Sequence, residues 1–236
     1  MSITMSDSNS LGSVLHLLQF ADSALPVGGF SFSNSLESAV AYGAVRDEHT
    51  LEAFVYAALR QAATTDCVAA RVAYDGYVAN RFDLIVRADR ELLMRKLNTE
   101  QRQMSLRMGR KMSELAQEFV EGPQLGRWVQ SILAGHVAGT HAVAQGVVCA
   151  ACDVPQKDMF GAMLYGVETM MLNASLRLMR ITHNATQRIL YRLCERIERL
   201  YDESLSLALE DMYGFAPQID LFSSLHERGR SRMFMN

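Results

Sequence analysis

Residues 17–37 read LLQFADSALPVGGFSFSNSLE. An apolar run enters a turn built from one proline and two glycines, Pro26, Gly28 and Gly29. Two glycines so close after a proline indicate backbone angles that a side chain would forbid. The aromatic side chains of Phe30 and Phe32 indicate that this turn packs against another part of the protein. Since the turn holds no metal ligand or nucleophile, we predict a structural or partner-recognition role for it.

The bulk composition is that of an ordinary globular protein. Of the 236 residues, 49% are hydrophobic and 21% are charged, and the net charge is −3, which gives no overall attraction to nucleic acid or anionic lipid. No apolar run approaches the about 20 residues that cross a membrane. The polar stretch 1–10 lacks the features of a secretion signal, and four cysteines are too few for a disulfide scaffold. We therefore expect a cytoplasmic protein whose residues 1–10 form a disordered tail.

Apolar side chains recur at helical spacing along most of the chain. The four prolines all fall where this periodicity breaks, which suits helices because an interior proline disrupts them: they are Pro26, Pro123, Pro155 and Pro217. A helix is predicted after a cap at Asp47 or Thr50, and long helices are predicted over about 156–184 and about 186–209. No strand alternation is found. We predict an all-α, single-domain bundle of about ten helices over 11–218, followed by a C-terminal partner-docking segment over 219–236.

The residues that could carry chemistry do not form a known constellation. Cys149 and Cys152 form a C-x-x-C pair, which would place both thiols on one helix face. A zinc site would need two further ligands, and a redox pair usually follows a strand, so we interpret the pair as a small-residue packing face. The six histidines are scattered. We predict no catalytic residue, no metal site and no cofactor.

Two other classes of function are open at this level. An α-helical enzyme with a small-molecule pocket at the Gly28–Gly29 turn would need polar groups that converge there. A nucleic-acid-binding protein would use the basic stretch 87–111, but the net negative charge and the lack of a helix-turn-helix signal argue against it.

The opening stretch resembles the N-terminal signature of the UreF family of urease accessory proteins, which is close to L-x-x-x-D-S-x-L-P-x-G-x-F-x-x-S-x-G-L-E. The pattern is met here by Leu18, Asp22, Ser23, Leu25, Pro26, Gly28, Phe30, Ser33, Leu36 and Glu37. The similarity continues in residues 95–98, 108–111, 139–148, 178–180 and 232–234. It covers essentially the whole chain after residue 10.

The resemblance implies a non-enzymatic, homodimeric assembly factor with an all-α fold. Members of the family bind the accessory protein UreD, also called UreH, and the two together recruit the GTPase UreG. The complex inserts nickel into apo-urease, and the family protein is held to regulate the GTPase or to check fidelity.

The resemblance also implies that the C-terminal tail, here residues 228–234, orders on binding UreD/UreH. The partner-binding residues expected by position are Phe32, His226, Arg228, Arg230, Arg232, Met233 and Phe234. The turn expected to support the tail is formed by Pro26, Gly28, Gly29 and Phe30. Two departures stand out: Phe32 replaces a tyrosine of many members, so a hydroxyl hydrogen bond to the tail is expected to be missing. Ser35 replaces a glycine, so the helix start is expected to differ.

Overall fold

The computed structural model describes residues 10–29, 32–214, 216–229 and 233–234. Within them the chain forms helices and no strands: α1 (Leu11–Ala21), α2 (Leu36–Ala41), α3 (Glu48–Thr64), α4 (Asp66–Val78), α5 (Phe82–Arg95), α6 (Thr99–Gln117), α7 (Pro123–Leu133), α8 (His141–Ala151), α9 (Gln156–Leu178), α10 (His183–Ser204) and α11 (Pro217–Glu227). All of these helices contribute to one hydrophobic core. The predicted all-α bundle is therefore confirmed.

Helix α8 lies at the centre of the bundle, where it contacts α4, α5, α6, α7 and α9. Its sequence consists almost wholly of small and β-branched residues, and most of them are buried. Neighbouring helices approach it closely because glycine lies at the crossings. A Cβ atom on Gly146 of α8 would lie 2.3 Å from the carbonyl oxygen of Ala70, and one on Gly109 of α6 would lie 2.2 Å from that of Gly139. No real side chain fits at either distance, so the crossings require glycine.

The start of α8 is held by a carboxylate from another helix. Asp89 of α5, which is 1% exposed, accepts hydrogen bonds from the backbone N–H groups of Ala138, Gly139 and Thr140 at 2.7–3.0 Å. It also accepts the hydroxyl of Thr140 at 2.7 Å. These donors belong to the segment that leads into α8, whose N-cap is Thr140, and buried N–H groups of this kind need a hydrogen-bond partner. Asp89 thus joins α5 to α8 and satisfies buried polar groups at the same time.

Predicted helix starts agree with the structure where the cap is local. Asp47 caps α3 and accepts the backbone N–H of Thr50 at 2.8 Å, in a reciprocal capping box. The predicted boundary between the two last long helices was wrong. Helix α9 ends at Leu178, since Met179 is extended, and α10 begins after Thr182, whose hydroxyl accepts the N–H of Ala185. The apolar pattern continues across this break, which is why periodicity alone placed the boundary too late.

The first part of the segment 219–236 is packed into the bundle. Helix α11 lies against α2 and α6, and the ring of Phe222 meets that of Phe54 with centroids 6.0 Å apart. Among the described residues, no helix has the length and hydropathy needed to cross a membrane.

Candidate functional site

Of the two glycines in the turn after α1, only one has the left-handed backbone that the sequence predicted. Gly28 has a φ of +88°, the left-handed region that favours glycine. The carboxylate of Asp22 accepts the backbone N–H of Ala24 at 2.8 Å and thereby shapes the entry to the turn. A Cβ atom at Gly29 would lie 3.3 Å from the terminal methyl of Met108, a close contact that a small shift of this flexible side chain would relieve. Phe30 lies outside the described residues.

On its inner side the turn closes a cavity of about 420 Å³. Helices α1, α3, α4, α5, α6, α8, α9 and α11 contribute to the remaining walls. The lining is rich in methionine: Met94, Met104, Met108, Met163 and Met170. Methionine side chains are flexible and adapt to irregular partners. A concave volume therefore lies on the inner side of the turn. The hypothesis of a small-molecule pocket at this turn requires such a volume.

Two of the charged groups that line this cavity neutralise each other. Lys96 contacts both carboxylate oxygens of Asp66 at 2.7 Å. Burial lowers the pKa of His141 to about 4, so its imidazole is neutral at neutral pH. Burial also raises the pKa of the Cys67 thiol well above its ordinary value. The described lining thus offers a mostly apolar binding volume and no activated nucleophile.

A second cluster joins the chain's C-terminal end to α2. Glu37, in the first turn of α2, accepts the backbone N–H groups of Met233 at 2.7 Å and of Phe234 at 3.0 Å. Burial of this carboxyl would raise its pKa, but these hydrogen bonds together with His226 outweigh burial and the pKa of Glu37 lies below its usual value. Glu37 is therefore ionised at neutral pH, and its carboxylate holds the tail through the backbone N–H groups of Met233 and Phe234.

The ring of Phe234 is buried beside the same cavity. It is 6% exposed, and the guanidinium carbon of Arg177 lies 4.4 Å from its centroid, a cation–π contact. Arg177 also lines the cavity. Arg177 therefore links the tail to the wall of the cavity.

The predicted partner-binding residues are divided between surface and interior. Arg228 is exposed and Met233 is 61% exposed, whereas Phe32, His226 and Phe234 are buried. Arg230 and Arg232 lie outside the described residues. The sequence reasoning did not single out Glu37 or Arg177. Glu37 closes the signature stretch, and an acidic residue in a first helical turn was the available signal.

The serine that replaces a family glycine has an unusual backbone. Ser35 has a φ of +71°, the conformation for which glycine is the ordinary choice, and α2 begins at the next residue. Its buried hydroxyl is 2.5 Å from that of Ser223 in α11, which in turn accepts the amide of Gln101 at 2.9 Å. This departure therefore adds a buried hydrogen-bond link between α2, α6 and α11.

The cysteine pair lies in the core, as interpreted from the sequence. Cys149 lies in α8, Cys152 is the first residue after the end of α8, and both are buried. Burial raises the pKa of Cys149 to about 12 and that of Cys152 to about 11, so both are thiols. Within the described ranges, no three histidine, cysteine or acidic side chains group together as metal ligands.

The sequence is similar to those of known proteins over nearly its full length. A sequence model of the UreF family matches residues 45–194. The chain is 44% identical to urease accessory protein UreF 1 of Brucella melitensis biotype 1, over 96% of this chain and 94% of the relative. It is 41% identical to urease accessory protein UreF of Yersinia enterocolitica serotype O:8, over 94% of this chain and 98% of the relative. The chain therefore belongs to the UreF family of urease accessory proteins.

Proposed function

We propose that the chain is a cytoplasmic, non-enzymatic urease maturation factor. It assembles with UreD/UreH and the GTPase UreG, and the complex delivers nickel to apo-urease and inserts it, with the chain regulating the GTPase. The observation that carries the proposal is the similarity to UreF proteins, at 44% identity over nearly the full length of both chains.

The surface of the described residues supports a role in binding proteins. Leu11, Leu15 and Leu18 of α1 are each more than half exposed and share one face, since residues three and four apart are neighbours on a helix. Contiguous exposed apolar side chains mark interaction sites on soluble proteins. The tail adds an exposed Met233 beside the buried Phe234.

The test is complementation in a host strain that lacks this chain and keeps its other urease genes. We expect urease purified from the deletion strain to hold little nickel and to be nearly inactive. Expression of the chain should restore both the nickel content and the activity. Full nickel loading of urease without the chain, at ordinary nickel supply, would contradict the proposal.

Assembly is tested separately with purified proteins. We expect the chain to be a homodimer in sedimentation equilibrium and to co-purify with UreD/UreH. We expect it to retain UreG only when UreD/UreH is present. A monomer that binds neither protein would contradict the proposed complex while leaving the family assignment intact.

The cavity favours a second candidate function, an α-helical enzyme or a binding protein that takes an apolar small molecule. Gly166 lines the cavity, and a Cβ atom there would meet no atom within 4 Å. Gly166→Leu should therefore fill the cavity without distorting α9. Gly161→Leu is the matched control, because Gly161 is equally open but does not line the cavity. Normal urease activation with Gly166→Leu would show that urease maturation does not depend on an occupied cavity.

A further inference from the structure

Two polar side chains of α8 line the cavity behind the turn that follows α1. His141 and Gln145 are four residues apart, so they lie on the same face of the helix, and both belong to the lining. The imidazole of His141 and the amide of Gln145 make no hydrogen bond to any residue that the structure describes. Polar groups inside a protein are normally hydrogen-bonded. These two side chains therefore leave donors and acceptors open to a ligand in the cavity.

Both side chains supply hydrogen-bond donors. Burial lowers the pKa of His141 to about 4, so its imidazole is neutral and carries one N–H and one lone pair. The backbone N–H of His141 donates to the Ser105 hydroxyl at 3.1 Å, which holds this end of α8 against α6. The amide of Gln145 carries two more N–H groups. Since a carbonyl oxygen has two lone pairs, one ligand carbonyl can accept from both side chains.

The charged side chains of the cavity do not favour a charged ligand. Lys96 and Asp66 already pair at 2.7 Å, and Arg95 pairs with Glu91 at the same distance. Within the described lining, acidic and basic residues are equal in number: Asp22, Asp66 and Asp220, and Arg95, Lys96 and Arg177. Because these charges balance, the cavity has no strong field of one sign that would attract an ion. An uncharged molecule fits this lining best.

The remaining lining suits an apolar, aromatic body. Phe20 and the methionines of the lining supply most of its large apolar side chains. Thioether sulfurs make favourable contacts with aromatic rings, and methionine side chains adapt to the shape of a ligand. The cavity volume of about 420 Å³ lies within the range of about 300–1,000 Å³ that is typical of small-molecule sites.

We propose that the cavity binds an uncharged aromatic molecule whose single carbonyl group accepts hydrogen bonds from His141 and Gln145. The proposal rests on the second candidate function, to which it gives a ligand class, and it does not depend on urease maturation. The methionines hold the ring, and the two side chains of α8 fix which end of the molecule enters first.

The test titrates the purified, full-length chain with prodan, an uncharged naphthalene that carries one ketone group. Its fluorescence reports both transfer out of water and hydrogen bonding to the ketone. We expect saturable binding that Gly166→Leu abolishes, because leucine fills the cavity, and that the matched Gly161→Leu retains. An absence of binding, or binding that Gly166→Leu leaves unchanged, would overturn the proposal.

Variants of the two polar side chains test the recognition of the carbonyl. Gln145→Met keeps the length of the side chain and removes its donors, so prodan should bind about two- to tenfold more weakly, the effect of one hydrogen bond, and its emission should move to shorter wavelength. His141→Leu should act in the same direction. If His141→Leu fails to fold, Gln145→Met still decides. Gln103→Met, at an exposed glutamine of α6 outside the lining, is the control and should bind like the unmodified chain.

Dimethylaminonaphthalene, which is prodan without the ketone group, completes the comparison. Its affinity should be the same for the unmodified chain and for Gln145→Met, since it offers no carbonyl to the amide. Equal losses for both compounds would show that Gln145 acts only by packing and would overturn the assigned ligand class. Because these titrations use no other urease protein, their failure would leave the maturation role untouched, and failed complementation would leave the ligand site standing.

Discussion

Individual residues in this chain balance opposing energies, and Ser35 is the clearest case. Its left-handed backbone costs about 1–2 kcal/mol for a residue with a side chain, while its hydrogen bond to Ser223 stabilises by about 0.5–1.5 kcal/mol. A glycine at position 35 would remove both the cost of the left-handed backbone and the stabilisation by the hydrogen bond.

We predict that Ser35→Gly changes the free energy of unfolding by less than about 1 kcal/mol. Ser223→Ala should destabilise by about 1–3 kcal/mol, since the buried Ser35 hydroxyl and the Gln101 amide both lose their partner. In the Ser223→Ala background, Ser35→Gly should be stabilising, because the buried Ser35 hydroxyl no longer has Ser223 as its hydrogen-bond partner. Urea unfolding of the four proteins measures this cycle. Purely additive effects would show that the Ser35–Ser223 bond does not couple α2 to α11.

A second prediction concerns the buried carboxyl of Glu168 in α9. It is fully buried, one of its oxygens has no hydrogen-bond partner among the residues that the structure describes, and burial raises its pKa from 4.5 to about 8. Between these two pH values the folded chain binds a proton that the unfolded chain has lost. Stability should therefore fall as pH rises through this window, by up to about 1.4 kcal/mol per pH unit.

Glu168→Gln should remove this slope and make the protein more stable near pH 8, because the amide is never ionised. Urea unfolding at several pH values gives the comparison. Glu195→Gln, at an exposed position, serves as the control and should keep the slope of the unmodified chain. An unchanged slope in Glu168→Gln would mean that this carboxyl does not set the pH dependence.

At the scale of elements, the sequence predicted features that depend on a few neighbouring residues. It did not predict contacts between residues that are far apart in the chain. The cap at Asp47 acts over three residues and was visible in the pattern. The link between Ser35 and Ser223 spans 188 residues, and the contact of Glu37 with Phe234 spans 197. Neither can be found from periodicity, because it depends on how α2, α6 and α11 are arranged in space. The cavity likewise depends on the arrangement in space, since eight helices and one turn line it.

The helix crossings supply the third prediction. Gly109→Ala should destabilise strongly, by about 3 kcal/mol or more, because its Cβ would meet the backbone of Gly139 and Thr140 at 2.2–2.6 Å. Gly161→Ala is the matched substitution in an open helical position and should stabilise by about 0.5–1 kcal/mol. Thermal unfolding of both variants tests the pair. Equal effects would show that α6 and α8 can move apart at little cost.

For the whole molecule, the last prediction separates folding from partner binding at the C-terminal end. Ending the chain after Gly229 removes the buried Phe234 ring but keeps α11. Its Tm should fall by roughly 3–12 °C, the loss of one buried aromatic side chain in a protein of this size.

Ending the chain after Ile219 also removes Phe222, Ser223 and His226 from the interior, so it should lower Tm much further or prevent folding. If the tail docks to UreD/UreH, the chain that ends after Gly229 should fold and yet fail to co-purify with that protein. Full binding by this shorter chain would show that the partner recognises the helical bundle, with the tail serving only to cover the surface formed by Glu37 and Arg177.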